Sequence, residues 1–188
     1  GRLLPYLPVP YLAFAIVDLL FLPAVLVAVL RPVLRVKQTR NYAFSILLLG
    51  LLFANLLFHA AVLGLVPVSP LHGLTLALYL IVLMMVVMGG RVIPYFTERR
   101  ISSTAKKWPI VEWLAPATVV ATLVAALLAQ HWPAILPVLI PLAAATAAVN
   151  AIRLAGWHAK RLWEVPLLWV LHLGYGWIVI GFALDALA

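Results

Sequence analysis

The sequence predicts an all-α, polytopic membrane helix bundle with six transmembrane helices, and three observations lead there. Apolar residues make up 66% of the 188 positions and charged residues only 10%. Apolar stretches of about 20 residues recur, the length a helix needs to cross a hydrocarbon core of roughly 30 Å. The Lys and Arg residues gather in alternate connections between those stretches, as in chains threaded by the positive-inside rule.

The spans run from Val9 to Leu30, Asn41 to Val66, Leu71 to Phe96, Ile110 to Gln130, Pro133 to Leu154 and Pro166 to Leu187, within a single membrane domain over residues 1–188. The first carries Asp18 and an internal Pro23. It lacks the charged start and small-residue cleavage site of a signal peptide, and five spans follow it. The second begins at Arg40-Asn41 and carries Asn55 and His59 before Pro67. The third opens with His72 just after Pro70 and closes through Met88-Gly89-Gly90-Arg91-Val92-Ile93-Pro94, where Pro94 is expected to disrupt the final turn. The fourth and fifth start at Pro109 and Pro133, and Pro116, Pro137 and Pro141 inside them predict kinks. The run from Ala143 to Ala148 suits close helix packing. The sixth begins at Pro166 and carries His172.

Orientation follows from the cations. Arg31, Arg35, Lys37 and Arg40 fill the first connection, Arg99, Arg100, Lys106 and Lys107 the third, and Lys160 and Arg161, with Arg153 just before them, the fifth. The connections around Pro67 to Pro70 and His131 to Trp132 hold none. The odd connections are therefore expected in the cytoplasm and both termini outside, with Arg2 alone against the pattern. The net charge of +8 is thus loop charge facing a lipid bilayer, not a nucleic-acid face. The chain has no cysteine, so disulfides and thiolate-held haem or clusters are excluded within it, and a metal must rely on His, Met, carboxylate or backbone oxygen.

An ionisable ring inside a membrane helix is rarely without a use. His59 stands eighteen residues beyond Asn41, roughly 27 Å up and near the outer face, whereas His172 stands eight residues beyond Glu164, about 12 Å up. A difference of about 15 Å argues against one shared metal. His72 opens the next span beside the His59 layer, which makes His59 and His72 the better metal pair. Asp18, nine residues below Val9, falls near mid-membrane, within about a turn of the height of His172, and is expected to orient that imidazole or compensate its charge. His131 and His158, beside Trp132 and Trp157, read as interfacial residues. Met84, Met85 and Met88 read as packing, although Met84 and Met88 share a face that copper would accept. Gly89 and Gly90 admit a backbone or a flat cofactor, and Arg91 beside them reads either as a snorkelling anchor or as a clamp for a carboxylate.

The segment from Met88 to Thr97, the stretch Asn55-Leu56-Leu57-Phe58-His59, the Arg40-Asn41 entry and the run Leu168-Trp169-Val170-Leu171-His172-Leu173-Gly174-Tyr175-Gly176-Trp177 together resemble the NnrS family, bacterial inner-membrane proteins associated with haem, copper and the response to nitric oxide in denitrifiers and pathogens. The resemblance runs in order over nearly the whole chain. It implies a haem- and copper-binding membrane protein concerned with nitric oxide stress, with haem b and copper as cofactors. It makes His59, His172 and Arg91 the leading functional residues, with Gly89, Gly90, Tyr175 and Asp18 around the cofactor and His59, His72 and His172 as metal ligands. It implies a bacterial inner membrane with periplasmic termini. Family members have about twice as many spans, so the chain, which starts at Gly1, is expected to be the C-terminal half of a twelve-span protein that works with an N-terminal half or within a larger membrane complex. Two competing readings are a transporter with an Asp18, Asn55 and His172 relay at the midplane, and a structural subunit of a respiratory complex. No reductase motif or proton channel is recognisable.

The basic alternation carries a direct check. Reporter fusions after Lys37, Lys106 and Lys160 should read cytoplasmic and one after Ser69 external; an external signal at any of the three lysines overturns the orientation.

Overall fold

In a computed structural model the chain is described over residues 10–36, 42–101 and 105–187. Arg2, Val9, Lys37, Arg40 and Asn41, on which parts of the sequence reading rest, lie outside those residues. Six helices appear in order: α1 (Tyr11–Val36), α2 (Tyr42–Val62), α3 (Pro70–Ile101), α4 (Pro109–Ala129), α5 (Leu136–Gly156) and α6 (Pro166–Asp185), with short 3-10 turns at Pro133–Ile135 and Leu162–Glu164. No strand occurs among the described residues. All six are long and apolar enough to cross a membrane, and no more than 28% of any spanning window is buried inside the protein. Most of their Leu, Ile, Val and Phe surface therefore faces outward, which requires lipid around it. This is a multi-pass membrane protein.

The chain divides into two compact units, Gly1–Leu80 and Ile81–Ala188, with α3 contributing to both. In the first unit α1 packs on α2, and the start of α3 packs on α2 through Gly73. A Cβ at Gly73 would stand 2.7 Å from the Phe58 nitrogen and 2.8 Å from the Ala54 oxygen, both backbone atoms. Only glycine lets the two helices approach this closely. In the second unit α5 lies between α4 and α6. Thr122 and Thr146, both buried, join α4 to α5 by a 3.0 Å hydroxyl bond.

Several boundaries differ from those read in the sequence. The second helix stops at Val62, not Val66, because Gly64 takes φ +71°. The Leu65 amide then donates to Ala60 O and the Gly64 amide to Ala61 O, the paired bonds of a Schellman stop. The third helix runs on through Pro94 to Ile101, so Pro94 does not end it. One missing donor costs less than exposing a whole turn of unpaired carbonyls to hydrocarbon. The first helix likewise passes Pro32 and reaches Val36. Pro133, by contrast, begins a 3-10 turn, and Pro137 falls in the first turn of α5, where its missing amide proton is no loss.

Gly73→Ala should lose about 1–3 kcal/mol of stability, since backbone must move to admit the methyl. At Gly174 and Gly181 an added Cβ meets nothing within 4 Å, so alanine there should be neutral or stabilising by up to about 1 kcal/mol. Unfolding in mixed micelles checks both; equal effects at Gly73 and Gly174 would refute the packing argument.

Candidate functional site

Each unit holds one histidine whose surroundings are built, and the two differ. In the first unit, His59 is buried at 2% exposure among the rings of Tyr11, Phe14 and Phe58, with centroids 5.3 to 5.8 Å away. Its Nδ1 lies 2.8 Å from the Tyr11 hydroxyl and its Nε2 lies 3.3 Å from Asp18 Oδ2. A carboxylate only accepts, so with a neutral ring Nε2–H donates to Asp18 and Nδ1 accepts from Tyr11. Asn55 Nδ2 also donates to Asp18 Oδ2, at 3.1 Å. His59 thereby has both ring nitrogens engaged.

This arrangement corrects one expectation. The carboxylate of Asp18 is bonded to His59 and Asn55, not to His172 as sequence depth suggested. Asp18 lies seven residues into α1 and His59 three residues before the end of α2, a height difference of about 6 Å, which the two side chains span. Consecutive helices pack side by side, and that adjacency outranked a match in height. His72 is buried in the first turn of α3 with its Nδ1 3.1 Å from Ser69 O. Among the described residues no group of three or more His, Asp, Glu or Cys side chains is placed to hold a metal.

In the second unit, His172 on α6 is 8% exposed. Its Nδ1 donates to Leu168 O at 2.8 Å, and its Nε2 lies 3.4 Å from Trp157 O, too far for a strong bond. The ring borders a groove of about 800 Å³ between α5 and α6, whose walls include Leu154, His158, Trp163, Leu173 and Trp177. The groove is almost wholly apolar, and its volume falls in the range of cofactor sites.

The Trp157 carbonyl facing this histidine belongs to a buried cluster in which sequence reasoning named Tyr175 but missed Glu112, Asn150 and the burial of Arg153. Arg153, 5% exposed, donates from Nε to Glu112 Oε2 at 3.1 Å and from Nη2 to the same oxygen. Its Nη1 donates to Val86 O at 2.9 Å and to the Tyr175 hydroxyl at 3.1 Å. The Tyr175 hydroxyl donates in turn to Asn150 Oδ1. The guanidinium also lies 5.1 Å over the Trp157 ring, which stacks edge-on against Tyr175 at 5.0 Å. Trp157 is fully buried and belongs to the core; His158 beside it is exposed. The signal was present in the sequence, in that Asn150 and Arg153 share a face at i, i+3 inside an apolar span and Glu112 is the one acid within the fourth span.

Gly89 and Gly90 also find their use here. A Cβ at Gly89 would strike the Tyr175 ring, and one at Gly90 would overlap the Arg153 guanidinium. The glycines thus admit two side chains of the protein itself. Arg91 is half-buried on α3 just beyond them, and the grip on a carboxylate that the sequence suggested for it is seen at Arg153, on Glu112.

Arg153→Met should lose about 3–5 kcal/mol, because Glu112 is left charged and unpaired. Adding Glu112→Leu should restore most of that loss, since replacing a buried pair as a whole is often near neutral. Unfolding measurements on the two variants decide it, and an equally unstable double variant would show that the ion pair is not the coupled unit.

No curated protein and no solved structure matches this chain. The family described as NnrS protein has a model that matches residues 1–188, which fits a membrane protein related to nitric oxide and bears out the resemblance carried by the Gly-Gly-Arg-Val-Ile-Pro and His-Leu-Gly-Tyr segments. The chain belongs to the NnrS family.

Proposed function

We propose that the protein binds haem b in the α5–α6 groove of its second unit, where His172 would hold it, and acts at the bacterial inner membrane in the response to or relief of nitric oxide stress. The observation that carries this reading is the state of the His172 ring. Its Nδ1 is 2.8 Å from Leu168 O, against 3.4 Å from Nε2 to Trp157 O, which favours a neutral ring that donates from Nδ1 and keeps its lone pair on Nε2. A backbone acceptor on the distal nitrogen is the usual way a ligating imidazole is oriented. The residues present fit the group: the groove is apolar, large enough for a flat macrocycle, and walled by His172 and by the indoles of Trp163 and Trp177.

The chain's own part in that function is orientation and exclusion of water. Leu168 O holds the ring, Trp157 backs it, and Arg153 fixes Trp157 through the contact between guanidinium and indole. Haem iron, when bound, would supply the position at which nitric oxide coordinates. Nitric oxide is small and apolar and reaches such a groove through lipid. Copper enters this reading as a second metal expected from the family resemblance. The basic connections support periplasmic termini.

The test is spectroscopic. Purified protein should show a Soret band that His172→Ala abolishes or shifts, whereas His172→Met should retain some haem with a changed potential, because a thioether can replace imidazole. His172→Gln should preserve the helical content while losing the band, since the amide can still bond to the backbone. A haem-free preparation, or a band unchanged in His172→Ala, would refute the assignment.

A further inference from the structure

The α5–α6 groove is apolar along its length and charged at one end. On α6 its wall runs from His172 to Ile180, about 9 to about 21 Å beyond Pro166, the first residue of that helix. Past His172 that wall is apolar. The other end is walled by the segment that joins the two helices, through His158, Leu162 and Trp163. Between those wall residues the same segment carries Lys160 and Arg161, both exposed. Their backbone is held from both sides, because Ala159 and Leu162 are buried and the Leu162 amide donates to Ala159 O at 2.9 Å. The two cations are thereby fixed at the end of the groove with their side chains outward.

The cations differ in what they already hold. Arg161 Nε donates to Glu164 Oε2 at 2.8 Å, in a pair whose side chains are 69% and 58% exposed. Such a pair is weakly held, and Glu164 leaves the segment one positive charge in excess. Lys160 makes no ion pair among the described residues. The other guanidiniums of the second unit are committed or placed elsewhere. Arg153 spends its donors on Glu112, Val86 O and Tyr175, and Arg91 lies on α3, outside the groove's walls.

Haem b is apolar over both faces of its ring and carries its propionate groups along one edge. A carboxylate within hydrocarbon is costly, whereas one that meets a fixed ammonium or guanidinium gains a charge-assisted hydrogen bond. Among the described residues the groove offers that at one end. We infer that Lys160 and Arg161 seat the propionates of the bound haem at the mouth of the groove, so that its carboxylate edge faces the segment between α5 and α6 and its apolar edge faces Ile180. This inference rests on the haem reading. It adds the direction in which the macrocycle lies and the residues that select a porphyrin with carboxylates over a neutral one. It also moves the carboxylate clamp from Arg91 to the α5–α6 segment.

The experiment strips the full chain of haem in neutral detergent micelles and titrates it with haem b and with the dimethyl ester of haem b, whose carboxylates are neutralised, following the Soret band. The double variant Lys160→Gln, Arg161→Gln should weaken haem binding about tenfold, the size expected of two surface ion pairs together, and leave binding of the ester unchanged. Glu164→Gln should act in the opposite direction, tightening haem a few-fold by releasing Arg161 and again sparing the ester. Helical content by circular dichroism should be the same in all three proteins. A double variant that weakens haem and ester equally, or neither, would overturn the inference while leaving the groove assignment standing. Absence of any Soret band that depends on His172 would remove the groove assignment, and this inference with it.

Discussion

The second unit is organised by one guanidinium. Arg153 reaches Val86 on α3, Glu112 on α4 and Tyr175 on α6 from its own place on α5, so all four helices of that unit meet at a single side chain. Within hydrocarbon no water is present to take over a lost bond, and each donor must find its acceptor inside the protein. Arginine suits such a centre because its donors are fixed in a plane, it keeps its charge, and its face can stack on an indole. The neighbours conform to it. Gly90 gives it room, and Asn150 accepts a hydrogen bond from the tyrosine that Arg153 bonds.

The position of His172 is a consequence. Trp157 is gripped between the guanidinium and the Tyr175 ring, and the Trp157 carbonyl faces His172 Nε2. Its indole Nε1–H has no acceptor among the described residues, so the contacts of its two faces, not a hydrogen bond, keep it buried. A shift of Arg153 would therefore reach the groove through a single intermediate. His59 shows the opposite design. Its nitrogens are held by side chains that can themselves exchange protons, whereas those of His172 face backbone carbonyls that cannot. The same residue type is thus bonded through side chains in one unit and through backbone in the other.

How much of this was legible in the sequence depends on the range of the interaction. The six spans and their basic connections follow from hydropathy and charge, which are local quantities, and the helices appear within a few residues of the expected limits. The stop after Val62 was legible in principle, because Gly64 ahead of Pro67 is a helix-ending pattern. Pro94 misled because the penalty of ending a helix in lipid outweighs the proline's own preference. The Asp18 partner was misassigned because counting residues gives height but not azimuth around the helix. Arg153 looked like one more loop cation at the end of a span, and only the meeting of four helices reveals that it is buried. Gly89 and Gly90 were recognised as places of close approach, but the chain gives no sign of whether a cofactor or its own side chains will fill the space.

A soluble core would hide such details under apolar burial, but here little more than a quarter of any span is buried against protein. Apolar area separates the membrane-inserted from the water-exposed state and hardly distinguishes one helix arrangement from another, since lipid is as apolar as leucine. The choice among arrangements falls to close glycine contacts such as Gly73 on Ala54 and Phe58, to the Thr122–Thr146 bond, and to the two polar clusters. The helix arrangement therefore draws on a few side chains: a substitution at Asp18, Glu112 or Arg153 removes polar bonds between helices, while one at Leu184 or Trp113, both exposed, changes only what the lipid touches.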